Sequence, residues 1–214
     1  MRSLNVFILL LAGAVILNSE AGRAQNAVRS NSSGFGLHSV DLALTYTPER
    51  ARVVNQNCSC FWLQGISGDT SLNVFHGLGL AANITYGTAN NVQPGVNLSK
   101  VTFTAGPRYT WNINILARGK KQGNPSRLYA QGLFGVAHGF NSLFPAASGA
   151  VSSANSSAIQ FGGGFDLALT KRFALRVADV EWVRTALPNT ASNVQNDLRL
   201  GIGASFHFVP KEKR

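Results

Sequence analysis

Between Val101 and Ile115 the chain alternates residue by residue. Odd positions carry Val101, Phe103, Ala105, Pro107, Tyr109, Trp111, Ile113 and Ile115, and even positions carry Thr102, Thr104, Gly106, Arg108, Thr110, Asn112 and Asn114. A strand sends successive side chains to opposite faces, so one face here is apolar and the other polar. The usual soluble strand is roughly 5 or 6 residues long, whereas a tilted strand crossing a bilayer needs about 9 to 11. The segment satisfies the second requirement. Several other segments share the pattern, and an export-type segment precedes them. Together they predict an all-β chain, an eight-stranded antiparallel transmembrane β-barrel in a bacterial outer membrane. The alternative is a soluble sandwich or lipocalin-type barrel, whose apolar face would point inward.

The N-terminus carries Arg2, an apolar run from Val6 to Leu17, then Ala21-Gly22-Arg23-Ala24. This is the order of a secretory signal: charged start, short apolar run, small-residue cleavage site. The run is too short for a spanning helix. Residues 1–24 are therefore read as a cleaved signal peptide, 25–36 as an N-terminal periplasmic segment, 37–208 as the barrel and 209–214 as a basic tail. Without residues 1–24 the chain keeps 17 cations and 8 anions, a net charge of +9. In an exported chain that balance points to anionic lipid heads or wall polymer rather than nucleic acid.

The eight predicted strands are 37–47, 61–75, 78–88, 98–115, 128–141, 158–169, 173–185 and 194–208. The second has a poor phase, with Gly65 and Gly68 as candidate bulges. Connections alternate: short at 75–77, 118–125 and 170–172, long at 48–60, 89–97, 141–157 and 186–193. Barrels of this class have short periplasmic turns and longer external loops. That topology puts Tyr46, Tyr86, Phe140, Phe161 and Trp182 near the outer rim and Tyr109, Trp111, Phe173, Phe206 and Phe208 near the periplasmic rim, two aromatic girdles. Arg118, Lys120, Lys121, Arg127, Lys171, Arg172, Lys211, Lys213 and Arg214 gather at the periplasmic end. Either they meet anionic lipid heads there or they only solvate turns and tail.

Strand parity places Asp41, Arg108, Asp166, Arg176, Glu181 and Arg199 on the polar, inner face. Arg176 and Glu181 share that face only if a bulge lies near Ala178. Eight strands leave an interior that side chains just fill, and buried charges persist only when paired and hydrogen-bonded. Three acids and three arginines are thus expected to plug the lumen. The alternative is a charged lining for a narrow, porin-like channel. Gly162, Gly164, Gly201 and Gly203 make room for the arginines. The run Gly162-Gly163-Gly164 lacks the following helix and lysine of a phosphate-binding loop.

Cys58 and Cys60 are the only cysteines. In an oxidising compartment the simplest expectation is a disulfide, with metal binding or redox chemistry as alternatives. No metal site or cofactor is expected. Ser205 and His207 share one face of the last strand, but a nucleophile needs a base in reach and an orienting third group. No catalytic residue is therefore assigned. Asn83, Asn97 and Asn155 head chance glycosylation sequons.

The motifs Cys58-Ser59-Cys60-Phe61-Trp62, Gly106-Pro107-Arg108-Tyr109, residues 130–135, Gly162-Gly163-Gly164-Phe165-Asp166, residues 176–185 and Gln195-Asn196-Asp197-Leu198-Arg199 resemble the bacterial outer-membrane β-barrel domain family. Among eight-stranded barrels they resemble the outer membrane protein A type. Taken together they are similar to the barrel-only proteins of soil bacteria such as acidobacteria. The resemblance implies a single barrel whose last strand, ending in Phe206 and Phe208, is read by the barrel assembly machinery. The six-residue tail after Phe208 departs from that pattern. Outer-membrane lipids are the other expected partner. The expected role is non-enzymatic: envelope integrity, or contact with an unknown surface ligand through the external loops.

Overall fold

Polar and apolar residues alternate along almost every segment, and the structure turns that alternation into a closed wall. It is a computed structural model that describes residues 39–52, 60–113, 125–147, 149–189 and 192–208. All of these fall in the unit Gly34–Arg214; the unit Met1–Ser33 holds none of them. Among the described residues the regular structure is nine strands: β1 (Ser39–Tyr46), β2 (Glu49–Arg52), β3 (Cys60–Phe75), β4 (Leu78–Gln93), β5 (Val96–Ile113), β6 (Ser126–Ala146), β7 (Gly149–Ala168), β8 (Phe173–Thr185) and β9 (Gln195–Phe208).

Strands β1 and β2 form one stave. Both pair with β3 on one side and β9 on the other. The break between them is only Thr47-Pro48, and the ladder runs through it: Thr47 N donates to Gly65 O, and Leu200 N donates to Pro48 O. Each remaining strand pairs antiparallel with the next, so eight staves close on themselves.

The stagger of the closure can be read from the registers. From Val40 the cross-strand partners run Leu72, Leu80 and Pro107, then Gly132, Phe161, Trp182, Leu198 and Arg50. The circuit therefore returns to its first stave ten residues beyond Val40. Closing a barrel requires such a stagger and a strand tilt near 40°. With strands about 4.8 Å apart, eight tilted staves enclose a tube about 16 Å across between backbones. Side chains from opposite walls meet in the middle.

Parity decides what fills the tube. Exposed apolar residues lie on the outer face, among them Leu44 (66% exposed), Leu80 (60%), Ile66 (58%) and Phe134 (56%). The buried residues are mostly polar or charged. This is the inverse of a soluble barrel. Both predicted girdles face outward. Tyr109 contacts Trp111 at 4.6 Å and Phe173 contacts Phe206 at 5.2 Å at the short-turn end. Phe161 contacts Trp182 at 6.1 Å and Tyr86 contacts Phe140 at 6.5 Å toward the other end.

Three local expectations need correction. β3 alternates in register from Trp62 to Asn73, and its irregularity lies at Asn73–Phe75, not at Gly65 or Gly68. Its phase looks poor because Gln64, Gly68 and Thr70 share the outer face with Trp62, Ile66 and Leu72. The segments 89–97 and 141–157 are ribbons rather than irregular loops. β4 and β5 pair as far as Gln93 and Val96 across Pro94-Gly95, and β6 and β7 as far as Ala146 and Gly149. Part of 48–60 is likewise strand, namely β2. The tight turn at His76-Gly77 uses φ of 46° and 89°, the doubly left-handed geometry of a two-residue hairpin.

Candidate functional site

The interior is a stack of ion pairs. Seven carboxylates are buried in it: Asp41, Glu49, Asp69, Asp166, Asp179, Glu181 and Asp197. Lys100, Arg108, Arg127, Arg176 and Arg199 are buried with them. Every Asp and Glu among the described residues is therefore inside the barrel.

At the short-turn end, Asp41 accepts from Arg127 and lies 2.5 Å from His207 Nδ1. Its second oxygen accepts from Asn73 Nδ2 at 3.0 Å. In the middle, Arg108 Nη2 lies 2.7 Å from both oxygens of Asp69, while Arg108 Nε donates to Gln131 Oε1 at 2.9 Å. Arg176 reaches Asp166 through Nε at 2.9 Å and Nη2 at 3.3 Å, and lies 3.6 Å from Asp69 and 3.7 Å from Asp179. The buried ring of Tyr129 lies against both guanidinium groups, with Arg108 4.3 Å from its centroid and Arg176 4.6 Å. Toward the end away from the short turns, Arg199 donates to Glu49 Oε2 and, at 3.3 Å, to Glu181 Oε2. Lys100 pairs with Glu49 and, at 3.2 Å, with Asp197. Gln160 and Gln131 both donate to Glu181 Oε1, so the middle and upper layers are joined as well as filled.

All six charged residues assigned to the lumen by parity lie there: Asp41, Arg108, Asp166, Arg176, Glu181 and Arg199. A bulge at Val177–Ala178 puts Arg176 and Asp179 on one face with Glu181. The network is larger than six, however, and not balanced three against three. Asp69 escaped notice behind the mixed outer face of β3. Asp179 escaped because the bulge shifts its parity. Glu49 fell in a segment read as loop. Lys100 and Asp197 obey the parity already used for Arg108 and Arg199 and were legible by it. Arg127, grouped with the basic turns, is 8% exposed and turned inward. The inner glycines accommodate more than arginines: a Cβ on Gly164 would lie 2.5 Å from Tyr129 Oη, and one on Gly201 would lie 2.8 Å from Thr45 Cγ2.

His207 Nδ1 lies against Asp41 and Arg127, and Ser205 Oγ has no hydrogen-bond partner among the described residues. They do not form a nucleophile–base pair. Cys60 is exposed at the start of β3, 3.7 Å from Arg50 Nη2; Cys58 lies outside the described residues. So do residues 1–38, 114–124 and 209–214, and with them Arg118, Lys120, Lys121, Lys211, Lys213 and Arg214.

Above the charges, at the end away from the short turns, Ala51, Leu63 and Ala89 form an apolar cluster with Phe61, Val92 and Leu98 packed against it. It borders a cavity of about 260 Å³ that Phe144 and Leu187 help line and that has Lys100 and Asp197 among its walls.

No family model matches the sequence, and no curated protein matches it. Solved structures do. Neisserial surface protein A superposes with a TM-score of 0.56 at 14% identity, over 82% of this chain and 99% of that one. Ail, the attachment invasion locus protein of Yersinia pestis, gives 0.53 at 16% identity, over 81% of this chain and all of Ail. Ail in complex with the heparin analogue sucrose octasulfate gives 0.52 at 16% identity, over the same shares. The fold is that of the small eight-stranded outer-membrane barrels. At these identities the likeness speaks for the fold alone.

Proposed function

We propose that this protein resides in the bacterial outer membrane as a closed, non-enzymatic barrel of the outer membrane protein A type. It acts in envelope integrity or surface contact through its external ribbons. One observation carries the reading: six carboxylates and four cations are linked in one network through the lumen, and Asp41 with Arg127 fills the short-turn end below it. A tube about 16 Å across, filled from both walls by arginine-length side chains, leaves little room for a water column. The attachment role named for Ail supports surface contact as the job of the long β4–β5 and β6–β7 ribbons. Residues 1–24 serve as the export signal, 25–36 lead into the barrel from the periplasm, and 209–214 trail from it. The assembly machinery reads the last strand through Phe206 and Phe208.

Single-channel recording tests this. The chain from Gln25, refolded in detergent and checked by heat-shifted gel mobility, is placed in a planar bilayer. Silence is the expected result, with current appearing in Arg108→Ala or Arg199→Ala. Stable charge-selective current from the unaltered chain would replace the plug with a narrow pore. Fractionation of the native cell tests the location separately.

A further inference from the structure

The outer wall has a sign. Every described carboxylate faces the lumen, so the exposed charges among the described residues are all cationic: Arg50, Arg52, Lys171, Arg172 and Arg184. Lys171 and Arg172 sit in the short β7–β8 turn. The other three lie together at the opposite end, on the two staves that flank β9. Arg50 pairs with Trp62 on one side and Leu198 on the other, and Leu198 pairs with Trp182. Continuing that register sets Arg52 opposite Asn196, which is itself opposite Arg184. With about 3.3 Å per residue and about 4.8 Å per strand, the three Cα atoms form a triangle with sides of about 7, 10 and 12 Å. Arginine side chains reach across such distances to one shared headgroup.

The height of the cluster identifies its surroundings. Val40 pairs with Phe208, level with the lower aromatic girdle, and the wall's stagger brings Arg50 ten residues above Val40 on the same stave. At a tilt near 40° those ten residues climb about 25 Å, the height of the apolar band of a membrane barrel. Arg184 is level with Arg50, since its stave sits two strand steps lower at Trp182 and regains that height over two residues. The arginines therefore stand at the upper edge of the band, beside Trp62 and Trp182, and project laterally from the wall. They face lipid heads rather than the open medium.

We infer that Arg50, Arg52 and Arg184 form a docking site for the phosphate groups of the glycolipid in the outer leaflet. Guanidinium groups bind phosphate oxygens through paired, charge-assisted hydrogen bonds. The wall offers no exposed carboxylate among the described residues to oppose the anion. The inference rests on outer-membrane residence and names the lipid partner that goes with it.

The test is native mass spectrometry of the full folded chain in detergent, with bis-phosphorylated lipid A as probe. The unaltered barrel is expected to retain it at least tenfold more strongly than the R50Q/R52Q/R184Q variant. A K171Q/R172Q variant, altered at the other end, should match the unaltered protein. Dephosphorylated lipid A should bind as weakly as it does to the triple variant, and millimolar inorganic phosphate should not displace the phosphorylated lipid. Heat-shifted mobility verifies that each variant is folded. If the triple variant does not fold, the R50Q and R184Q single variants carry the comparison, each expected to lose several-fold. Equal retention by unaltered and variant barrels overturns the site, as does displacement by free phosphate. Retention of a sulfated polysaccharide in place of lipid A also overturns it. None of these readouts depends on where the protein resides, so cell fractionation judges that reading independently.

Discussion

Arg199 reaches Glu49 with two nitrogens, Nε at 3.1 Å and Nη2 at 2.9 Å, across 150 positions of sequence. The two residues are also ladder partners, so the ion pair lies on the seam where the last stave meets the first. Removing one partner of a buried pair leaves an uncompensated charge and costs about 3–5 kcal/mol. Arg199→Met should lose that much, read from urea unfolding followed by tryptophan emission. Replacing both partners by leucine should cost much less, because such pairs are often neutral against apolar substitutes. A double variant as unstable as the single one would show that the seam depends on something other than the pair.

Tyr129 lies against two arginines at once. Its ring lies against both guanidinium groups, and buried contacts of this kind are worth about 2 kcal/mol or more. Tyr129→Leu should therefore lower stability by about 2 kcal/mol or more, while Tyr129→Phe, which keeps the ring, should stay within about 1 kcal/mol. Unfolding midpoints of the two variants decide it, and equal losses would remove the ring face from the account.

Gly164 is where that ring finds room. A Cβ there would come within 2.5 Å of Tyr129 Oη and of the Ala178 carbonyl oxygen. Gly164→Ala should cost about 1–3 kcal/mol through overpacking. Gly95, whose added Cβ meets nothing within 4 Å, is no control for packing because its φ is 77°. Gly68→Ala is the better one, since its nearest neighbour would lie at an ordinary 3.5 Å.

The wall's height scale can be measured with charge. Leu44 faces outward four residues above Val40, inside the apolar band, whereas Asn196 faces outward level with the arginine cluster. Leu44→Arg should cost about 2–4 kcal/mol on refolding into vesicles, and Asn196→Arg about 0–1 kcal/mol. Equal costs would mean that the band is not where the registers put it.

Much of this fold is written in parity. The clean alternation of Val101–Ile115 predicts β5, and the same rule places Asp41, Arg108, Asp166 and Arg199 inside. The rule fails where the chain breaks its own period. Two consecutive exposed residues, Val177 and Ala178, hide Asp179 from a simple count, and polar residues on the outer face of β3 mask Asp69. The long ribbons are illegible for a different reason. Asn, Ser, Gly and Pro suit turns, but a ladder continued from the barrel below can hold such residues in strands without help from their own propensity. The three-arginine cluster is invisible in sequence, because Arg184 stands more than 130 positions from Arg50 and only the closed register makes them neighbours.

The seam between first and last staves sets an order of events in assembly. Glu49 finds Arg199, and Asp41 finds His207, only when the last strand arrives. Contacts so distant in sequence repay their loop-closure entropy late. Until then the two acids on the nascent sheet's first edge keep Arg127 and Lys100 but lack the partners that the last strand supplies. A chain cut short before β9 therefore has no smaller barrel to fall back on. The C-terminal strand acts as the latch that closes the wall.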